Sequence, residues 1–279
     1  MHERKVLRVL TGQPSSDGDG VRLLRVFSPD AGLDPFLLLD EFGSDEAADY
    51  IGGFPSHPHR GFETVTYMLE GRMRHGDHLG NSGLLVSGGV QWMTAGRGII
   101  HSEMPEQVEG RMRGFQLWLN LPAAEKMKPA SYRDIEPAEL PLARWSGAAA
   151  KVIAGRVEHD GGVTEGAVRG VSTDPLYLDI AVPANGELIV PVSGDRTALV
   201  YLYEGGARIA GERIERGQLA VLGEGEAVSI AAGETEARLL LLAATPLREP
   251  VVHYGPFVMN SVAEIVQALA DFRAGRLAG

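Results

Sequence analysis

Tyr67-Met-Leu-Glu-Gly71, a short strand that ends in a turn, returns 134 residues later as Tyr201-Leu-Tyr-Glu-Gly205. A second strand and turn, Gly89-Val-Gln-Trp-Met-Thr-Ala-Gly96, is echoed 128 residues later by Gly217-Gln-Leu-Ala-Val-Leu-Gly-Glu224. Both pairs occur in the same order and at nearly the same offset, which is typical of an internal duplication. The sequence therefore predicts two similar β-barrels.

Strand-like segments dominate the rest of the chain. They are short, rich in β-branched and aromatic residues, and bounded by turn residues, of which the 279-residue chain has 36 Gly and 16 Pro. The clearest of them are Glu63–Leu69, Phe115–Leu119, Leu176–Ala181, Ala198–Tyr203 and Gln218–Leu222. Frequent short strands of this kind indicate a β-sandwich or barrel.

The end of the chain has the one clear helical pattern. Ser261 and Glu264 have capping-box spacing, apolar residues from Val262 to Leu269 follow at helical intervals, and Gly275 is a plausible stop. We expect an all-β fold of two β-barrels with this C-terminal helix packed on the sheets. Domains at 1–135 and 136–279 are expected, with the Pro- and Ala-rich stretch Leu121–Gly147 as the connection.

Composition and charge exclude several classes of protein. The chain has 26 Lys and Arg against 37 Asp and Glu, a net charge of −11, which argues against direct nucleic-acid binding. It has no cysteine, so disulfides, thiolate metal sites and a cysteine nucleophile are excluded. The longest unbroken apolar run, Leu239–Ala244, is far too short for a membrane span, and the first residues lack signal-peptide features. We expect a cytoplasmic protein without membrane contact.

Two motifs place metal-ligating side chains two residues apart. In an extended chain such residues point to the same side, so His57 and His59 can present two imidazoles to one point. His101 and Glu103 have the same spacing and can present an imidazole and a carboxylate to one side. If the two segments are neighbouring strands, three nitrogens and one oxygen converge on a divalent metal ion, with Fe, Mn, Ni, Cu and Zn all suited. Pro58 favours a strand edge or barrel mouth for the first motif.

Glu63 offers an alternative carboxylate. It lies six residues after His57 and four after His59, so in an uninterrupted strand it would share their face. Glu63 could be a ligand, an acid/base group or a partner that orients an imidazole. We favour Glu103 as the ligand.

Three neighbouring side chains have two interpretations each. Arg60 is either an anion contact at the barrel mouth or half of a surface ion pair. His75 and His78 lie in a loop-like stretch, where their side chains are either solvated or form hydrogen bonds that orient the metal ligands.

The sequence resembles the pirin family of the cupin superfamily. The segment His57-Pro-His59-Arg-Gly-Phe-Glu-Thr-Val-Thr-Tyr67 is close to a pirin signature. Further similar segments are Leu33-Asp-Pro-Phe-Leu-Leu-Leu-Asp-Glu-Phe42, Gly80-Asn-Ser-Gly83, Gly96-Arg-Gly-Ile-Ile-His-Ser-Glu103, Leu117-Trp-Leu-Asn-Leu-Pro122 and Gly255-Pro-Phe-Val-Met-Asn260. They run from about residue 20 to 275, so the resemblance covers most of the chain.

The resemblance implies a bicupin with one divalent metal ion, iron before the other metals, in the N-terminal domain. In pirins the ligands are the two histidines of the His-Pro-His segment and the histidine and glutamate of the His-Ser-Glu segment. These positions are His57, His59, His101 and Glu103 here, whereas generic cupins use a glutamate soon after the histidine pair, which would be Glu63. At the two repeat offsets the C-terminal half has Pro191, Ser193, Ser229 and Ala231, so we expect that half to be metal-free.

The resemblance also implies an oxygenase. Some pirins are similar to quercetin 2,3-dioxygenases, which insert O₂ into a flavonol ring and release carbon monoxide. A metal held by four protein ligands would bind the flavonol hydroxyl and lower its pKa, and Glu103 or Glu63 would accept the proton. The expected partners are thus a small aromatic, flavonol-like substrate and O₂.

The alternative is a regulatory module. Pirins are also associated with transcriptional co-regulation and with the modulation of metabolic enzymes, so the same site could be a redox-sensing iron that biases a surface for a protein partner. The net charge of −11 favours a protein over DNA as that partner. A cupin isomerase or a sugar-binding protein is a third alternative, although such proteins often need no four-ligand centre.

Overall fold

The structure is a computed structural model that describes residues 2–278. Strands make up most of the described chain. The strands before residue 146 are β1 (Val6–Thr11), β2 (Gln13–Asp17), β3 (Val21–Phe27), β4 (Phe36–Ser44), β5 (Phe54–His59), β6 (Phe62–Glu70), β7 (Arg72–Asp77), β8 (Ser82–Val86), β9 (Val90–Thr94), β10 (Ile99–Pro105), β11 (Met112–Asn120), β12 (Ser131–Ile135) and β13 (Leu142–Trp145).

The second half continues in the same way and ends in a helix. Its strands are β14 (Ala148–Ala154), β15 (Arg156–His159), β16 (Gly162–Glu165), β17 (Leu176–Val182), β18 (Glu187–Pro191), β19 (Thr197–Glu204), β20 (Gly206–Ile209), β21 (Glu212–Glu215), β22 (Gln218–Leu222), β23 (Ala227–Ala232), β24 (Ala237–Ala244), β25 (Val252–Tyr254) and β26 (Phe257–Met259). The helix α1 spans Val262–Arg273. Single 3₁₀ turns lie at Pro29–Ala31, Ala47–Asp49, Ala123–Glu125 and Pro137–Glu139.

The strands form two compact units of the same topology. The first unit, residues 13–137 and 247–278, has a seven-stranded sheet in the order β12-β9-β6-β11-β4-β3-β2 and a four-stranded sheet β5-β10-β7-β8. The second unit, residues 2–12 and 138–246, has β1-β22-β19-β24-β17-β14-β13 and β18-β23-β20-β21. Since the two strand orders correspond position by position, the predicted duplication and the all-β fold class are confirmed.

The ends of the chain group differently from the predicted domains 1–135 and 136–279. Strand β1 pairs with β22, from Val6 opposite Leu222 to Thr11 opposite Gln218, and fills the place that β12 has in the first unit. Residues 247–278, with α1, belong by contact to the first unit. The backbone N–H and C=O groups along the outer side of β22 need hydrogen-bond partners, and a segment that is distant in sequence can supply them.

The predicted connection Leu121–Gly147 contains the boundary between the two units, after Pro137, and it carries strands of both. It contains β12, which pairs with β9, and β13, which pairs with β14. Its Pro and Ala content marks the ends of these edge strands rather than an unstructured segment.

The predicted N-cap of α1 at Ser261 is confirmed. The Ser261 hydroxyl oxygen accepts a hydrogen bond from the backbone N–H of Glu264 at 3.3 Å, and the Glu264 carboxylate accepts one from the N–H of Asn260 at 3.1 Å. Ile265 is buried in a cluster with residues of β26, whereas Val262 is exposed. No helix in the described part of the chain has the length and apolarity needed to cross a membrane.

Gly61 allows the chain to pass from one sheet to the other between β5 and β6. Its φ is +93°, and a Cβ atom there would lie 2.0 Å from the carbonyl oxygen of Val258. The position therefore requires both the left-handed backbone and the absence of a side chain.

Substitution of this glycine is expected to destabilise the first unit. We expect Gly61→Ala to lower the free energy of unfolding by at least about 2 kcal/mol, because backbone strain and a steric clash add together. Gly20→Ala is the matched control: its φ is +82°, but a Cβ there meets nothing within 4 Å, so only strain of about 1 kcal/mol remains. Urea unfolding measures both, and equal losses would contradict the close approach at Gly61.

Candidate metal centre

Three imidazoles meet where β5 and β10 lie side by side. The strands are antiparallel, with His57 opposite His101 and His59 opposite Ile99. The ring centroid of His57 lies 4.7 Å from that of His59 and 4.4 Å from that of His101. The ring centroids of His59 and His101 are 5.0 Å apart. One ligand atom from each ring lies within 4.8 Å of the others. The arrangement expected from the two-residue spacing is thus observed, and β5 is a sheet edge, as Pro58 predicted.

The free ring nitrogens fit a divalent metal ion. Nδ1 of His57 lies 2.8 Å from the carbonyl oxygen of Pro55, so Nε2 is left to coordinate. Nε2 of His101 and both ring nitrogens of His59 are buried without a hydrogen-bond partner. Burial, followed by the neighbouring imidazoles, holds the pKa of His59 and of His101 well below the usual value. Neutral, buried imidazoles with unused nitrogens are the form that binds metal.

Glu103 lies beside the imidazoles. It follows His101 by two residues on β10, is buried, and lines the same cavity as His57 and His59. Its Oε1 accepts a hydrogen bond of 2.9 Å from the hydroxyl of Thr66. Among the described residues, the close group of ligand atoms contains only the three histidines, so Glu103 as the fourth ligand is a proposal.

Glu63 lies on the opposite face of β6 from this site. Side chains alternate along a strand, and Thr66 points to Glu103, so Glu63 points away. Its Oε1 accepts a hydrogen bond of 2.6 Å from Thr94, and burial raises the pKa of its carboxyl. The expectation of a shared face with His57 and His59 fails because the turn at Gly61 separates β5 from β6 and places them in different sheets. We therefore do not assign Glu63 to the site.

Arg60 is buried and holds the end of the chain. It donates hydrogen bonds to the Asp271 carboxylate at 2.9 Å and to the carbonyl oxygens of Arg97 and Leu277. It forms an ion pair, as one of the two interpretations held, but the pair is buried on the arginine side, and Arg60 is not among the residues that line the cavity.

His75 contacts the candidate metal centre, although its sequence surroundings are loop-like. It lies on β7, is 2 % exposed, and places its Nδ1 3.3 Å from Nδ1 of His101. Of the two interpretations for His75, contact with a metal-ligand candidate is the one observed. His78 instead contacts the carbonyl oxygen of Ala278 through Nε2.

An open cavity of about 800 Å³ leads to the imidazoles. Its apolar lining comprises Leu23, Leu38, Phe42, Phe54 and Trp118, and its polar lining includes Asp17, Asp19, Arg25, Asp30, Asp40 and Gln116. Such a cavity suits an aromatic molecule that carries hydrogen-bond donors.

In the described part of the second unit, the corresponding strand positions carry no metal-ligating side chains. If Ser229 on β23 corresponds to His101, strand register places Ile189 opposite it, where His57 stands in the first unit. The four matching positions are Ile189, Pro191, Ser229 and Ala231. The offset-based assignment of the first two to Pro191 and Ser193 was two residues late, because the loop after β18 is longer than the loop after β5.

The roles of Glu103 and Glu63 can be distinguished by the metal affinity of their variants. We expect Glu103→Gln to weaken Ni(II) binding at least about tenfold and Glu63→Gln to leave it unchanged, because only Glu103 lies beside the imidazoles. Isothermal titration of each variant measures the dissociation constant. A larger loss in Glu63→Gln than in Glu103→Gln would reverse the assignment.

The buried histidines also make the stability of the metal-free chain depend on pH. Burial lowers the pKa of His59, His75 and His101 in the folded state, whereas unfolded imidazoles titrate near 6.5. As pH falls below about 6.5, the unfolded chain binds protons that the folded chain does not, so the free energy of unfolding decreases. We expect each histidine to lower the free energy of unfolding by up to about 1.4 kcal/mol per pH unit until the pH reaches its pKa in the folded state.

Urea unfolding in chelator, between about pH 8 and pH 5, tests this dependence. The His59→Phe variant should show a shallower slope in the same range. An identical slope in the variant and the parent chain would contradict the lowered pKa of His59.

Comparison with known proteins agrees with the two-unit architecture. The pirin family matches residues 22–119, and the pirin C-terminal cupin domain matches residues 177–278. A Pseudomonas aeruginosa protein, named provisionally as a quercetin 2,3-dioxygenase, is 56% identical over 99% of this chain and 98% of its own. The crystal structure of quercetin 2,3-dioxygenase from Acinetobacter baumannii is 35% identical, covers 99% of both chains and has a TM-score of 0.91.

A more distant bacterial pirin from Escherichia coli was solved in complex with nickel(II). It is 20% identical, covers 86% of this chain and 98% of its own, and has a TM-score of 0.65, a likeness that concerns the fold. Matches to both family domains cover well over half of the sequence, and the larger part of each lies in a different one of the two units of the same strand order. This chain therefore belongs to the pirin family, with two cupin-type domains.

Proposed function

We propose that this protein is a metal-dependent dioxygenase of the quercetin 2,3-dioxygenase type. The observation that carries the proposal is the cluster of three imidazoles, two of them fully buried, at an open cavity of about 800 Å³. The names of the Pseudomonas and Acinetobacter relatives support the same reaction class. The substrates would be a flavonol-like aromatic molecule and O₂.

His57, His59, His101 and Glu103 would hold one divalent metal ion. Iron is the proposed metal, and the nitrogen and oxygen donors also suit Mn, Ni, Cu and Zn. When bound, the ion supplies Lewis acidity that lowers the pKa of a flavonol hydroxyl.

The side chains of the cavity would bind and orient the substrate. Trp118 and Phe42 offer apolar faces to a planar ring system, and their contact with it would exclude water. Glu103 is the carboxylate beside the imidazoles and would accept the proton of the flavonol hydroxyl. The electron-rich flavonolate would then react with O₂, both oxygen atoms would remain in the cleaved product, and one ring carbon would leave as carbon monoxide.

Quercetin turnover tests the proposal. Protein loaded separately with Fe(II), Mn(II), Ni(II) or Cu(II) is incubated with quercetin and O₂, and loss of the flavonol absorbance and release of carbon monoxide are measured. We expect at least one loaded form to be active and its His57→Ala variant to lose at least about 100-fold, because one ligand is removed. Four inactive loaded forms would refute the dioxygenase proposal. The regulatory alternative stays a prediction.

A further inference from the structure

A row of polar side chains crosses the seven-stranded sheet of the first unit. Strand register joins its members pairwise across five neighbouring strands, from β3 to β9. In spatial order the polar row consists of Arg25, Asp40, Gln116, Thr66 and Gln91. Arg25, Asp40 and Gln116 line the cavity. Thr66 contacts Glu103, so the row faces the candidate metal centre.

The same row is apolar in the second unit. The corresponding register pairs join β14, β17, β24, β19 and β22. The side chains at these positions are Val152, Leu178, Leu241, Val200 and Ala220, and all five are buried in one hydrophobic core. A barrel of this topology is thus built without polar groups in this row. Because burying polar groups costs free energy, their presence in the first unit calls for a role beyond folding.

Thr66 connects a cavity residue to the candidate ligand Glu103. Its Oγ1 lies 2.9 Å from Oε1 of Glu103 and 2.6 Å from Oε1 of the Gln116 amide. A hydroxyl has one hydrogen to donate, and an ionised carboxylate can only accept. Both contacts are satisfied when Thr66 donates to Glu103 and the terminal amide of Gln116 is rotated by 180°, so that its N–H donates to Thr66. In that arrangement Gln116 directs the hydroxyl hydrogen towards the carboxylate.

We propose that Thr66 is a positioning residue that holds Oε1 of Glu103 and thereby directs its other oxygen to the metal, with Gln116 fixing the direction of the hydroxyl. This inference rests on the proposed function, because it requires Glu103 to be a ligand. A carboxylate held through one oxygen cannot rotate freely, so it coordinates without first losing conformational entropy. The amide oxygen of Gln116, turned away from Thr66, becomes an acceptor for a hydroxyl group of a molecule in the cavity.

The decisive variant is Thr66→Val. It keeps the size and branching of the side chain, and valine is the residue that the second unit has at the corresponding position, Val200. We expect its Co(II) dissociation constant to rise about 10- to 100-fold, with a changed visible absorption spectrum of the bound ion. Thr66→Ser retains the hydroxyl and should bind Co(II) within about threefold of the parent chain. Gln116→Leu should show a loss between these two, because the hydroxyl can still donate.

Thr94→Val is the matched control. Thr94 also donates to a buried carboxylate, that of Glu63, but on the other face of the sheet. This variant should lower the free energy of unfolding and leave the Co(II) dissociation constant and spectrum unchanged. Circular dichroism and urea unfolding of all metal-free variants separate loss of folding from loss of coordination.

The outcomes distinguish this inference from the function on which it rests. If His57→Ala abolishes Co(II) binding while Thr66→Val keeps the parent affinity and spectrum, the positioning role is overturned and the metal site stands. If Thr94→Val weakens binding as much as Thr66→Val, the effect is general and the positioning role is again overturned. If His57→Ala binds Co(II) as the parent chain does, the proposed metal centre itself fails.

Discussion

The antiparallel pairing of β5 with β10 is the interaction on which the candidate site depends. Its register places His57 opposite His101, and the strand period brings His59 to the same side. A shift of one residue in this register would turn the imidazoles to the other face and separate them. The cavity opens onto these rings, and the hydroxyl of Thr66 bonds to the carboxylate beside them.

The turn at Gly61 takes the chain of the first unit from one sheet to the other. On one side, β5 carries the histidines in the four-stranded sheet; on the other, β6 continues in the seven-stranded sheet. Two buried carboxylates therefore have different surroundings although both are bonded to a threonine hydroxyl. Glu103 lies with the imidazoles, and Glu63 lies with Thr94.

The two units show how one topology accommodates two kinds of interior. In the second unit the cavity-facing row is aliphatic and forms a continuous core. In the first unit the same positions carry charges, amides and a hydroxyl, beside the imidazoles of His59 and His101, which have buried ring nitrogens without hydrogen-bond partners. Polar groups in such positions lower stability unless they are bonded to each other or to a ligand, and here Arg25 is bonded to Asp40 and Thr66 to Gln116.

The sequence by itself determined the fold class, the duplication, the helix cap and the histidine spacing, because these follow from local periodicity and residue type. Only the tertiary structure decided that β1 joins the second unit, that Glu63 faces away, and that His75 and Thr66 touch the candidate ligands. These contacts link segments that are far apart in sequence, and a turn such as Gly61 resets the alternation on which pattern-based reasoning depends. Local patterns specify which side a residue faces within one strand; the pairing of strands specifies what it meets there.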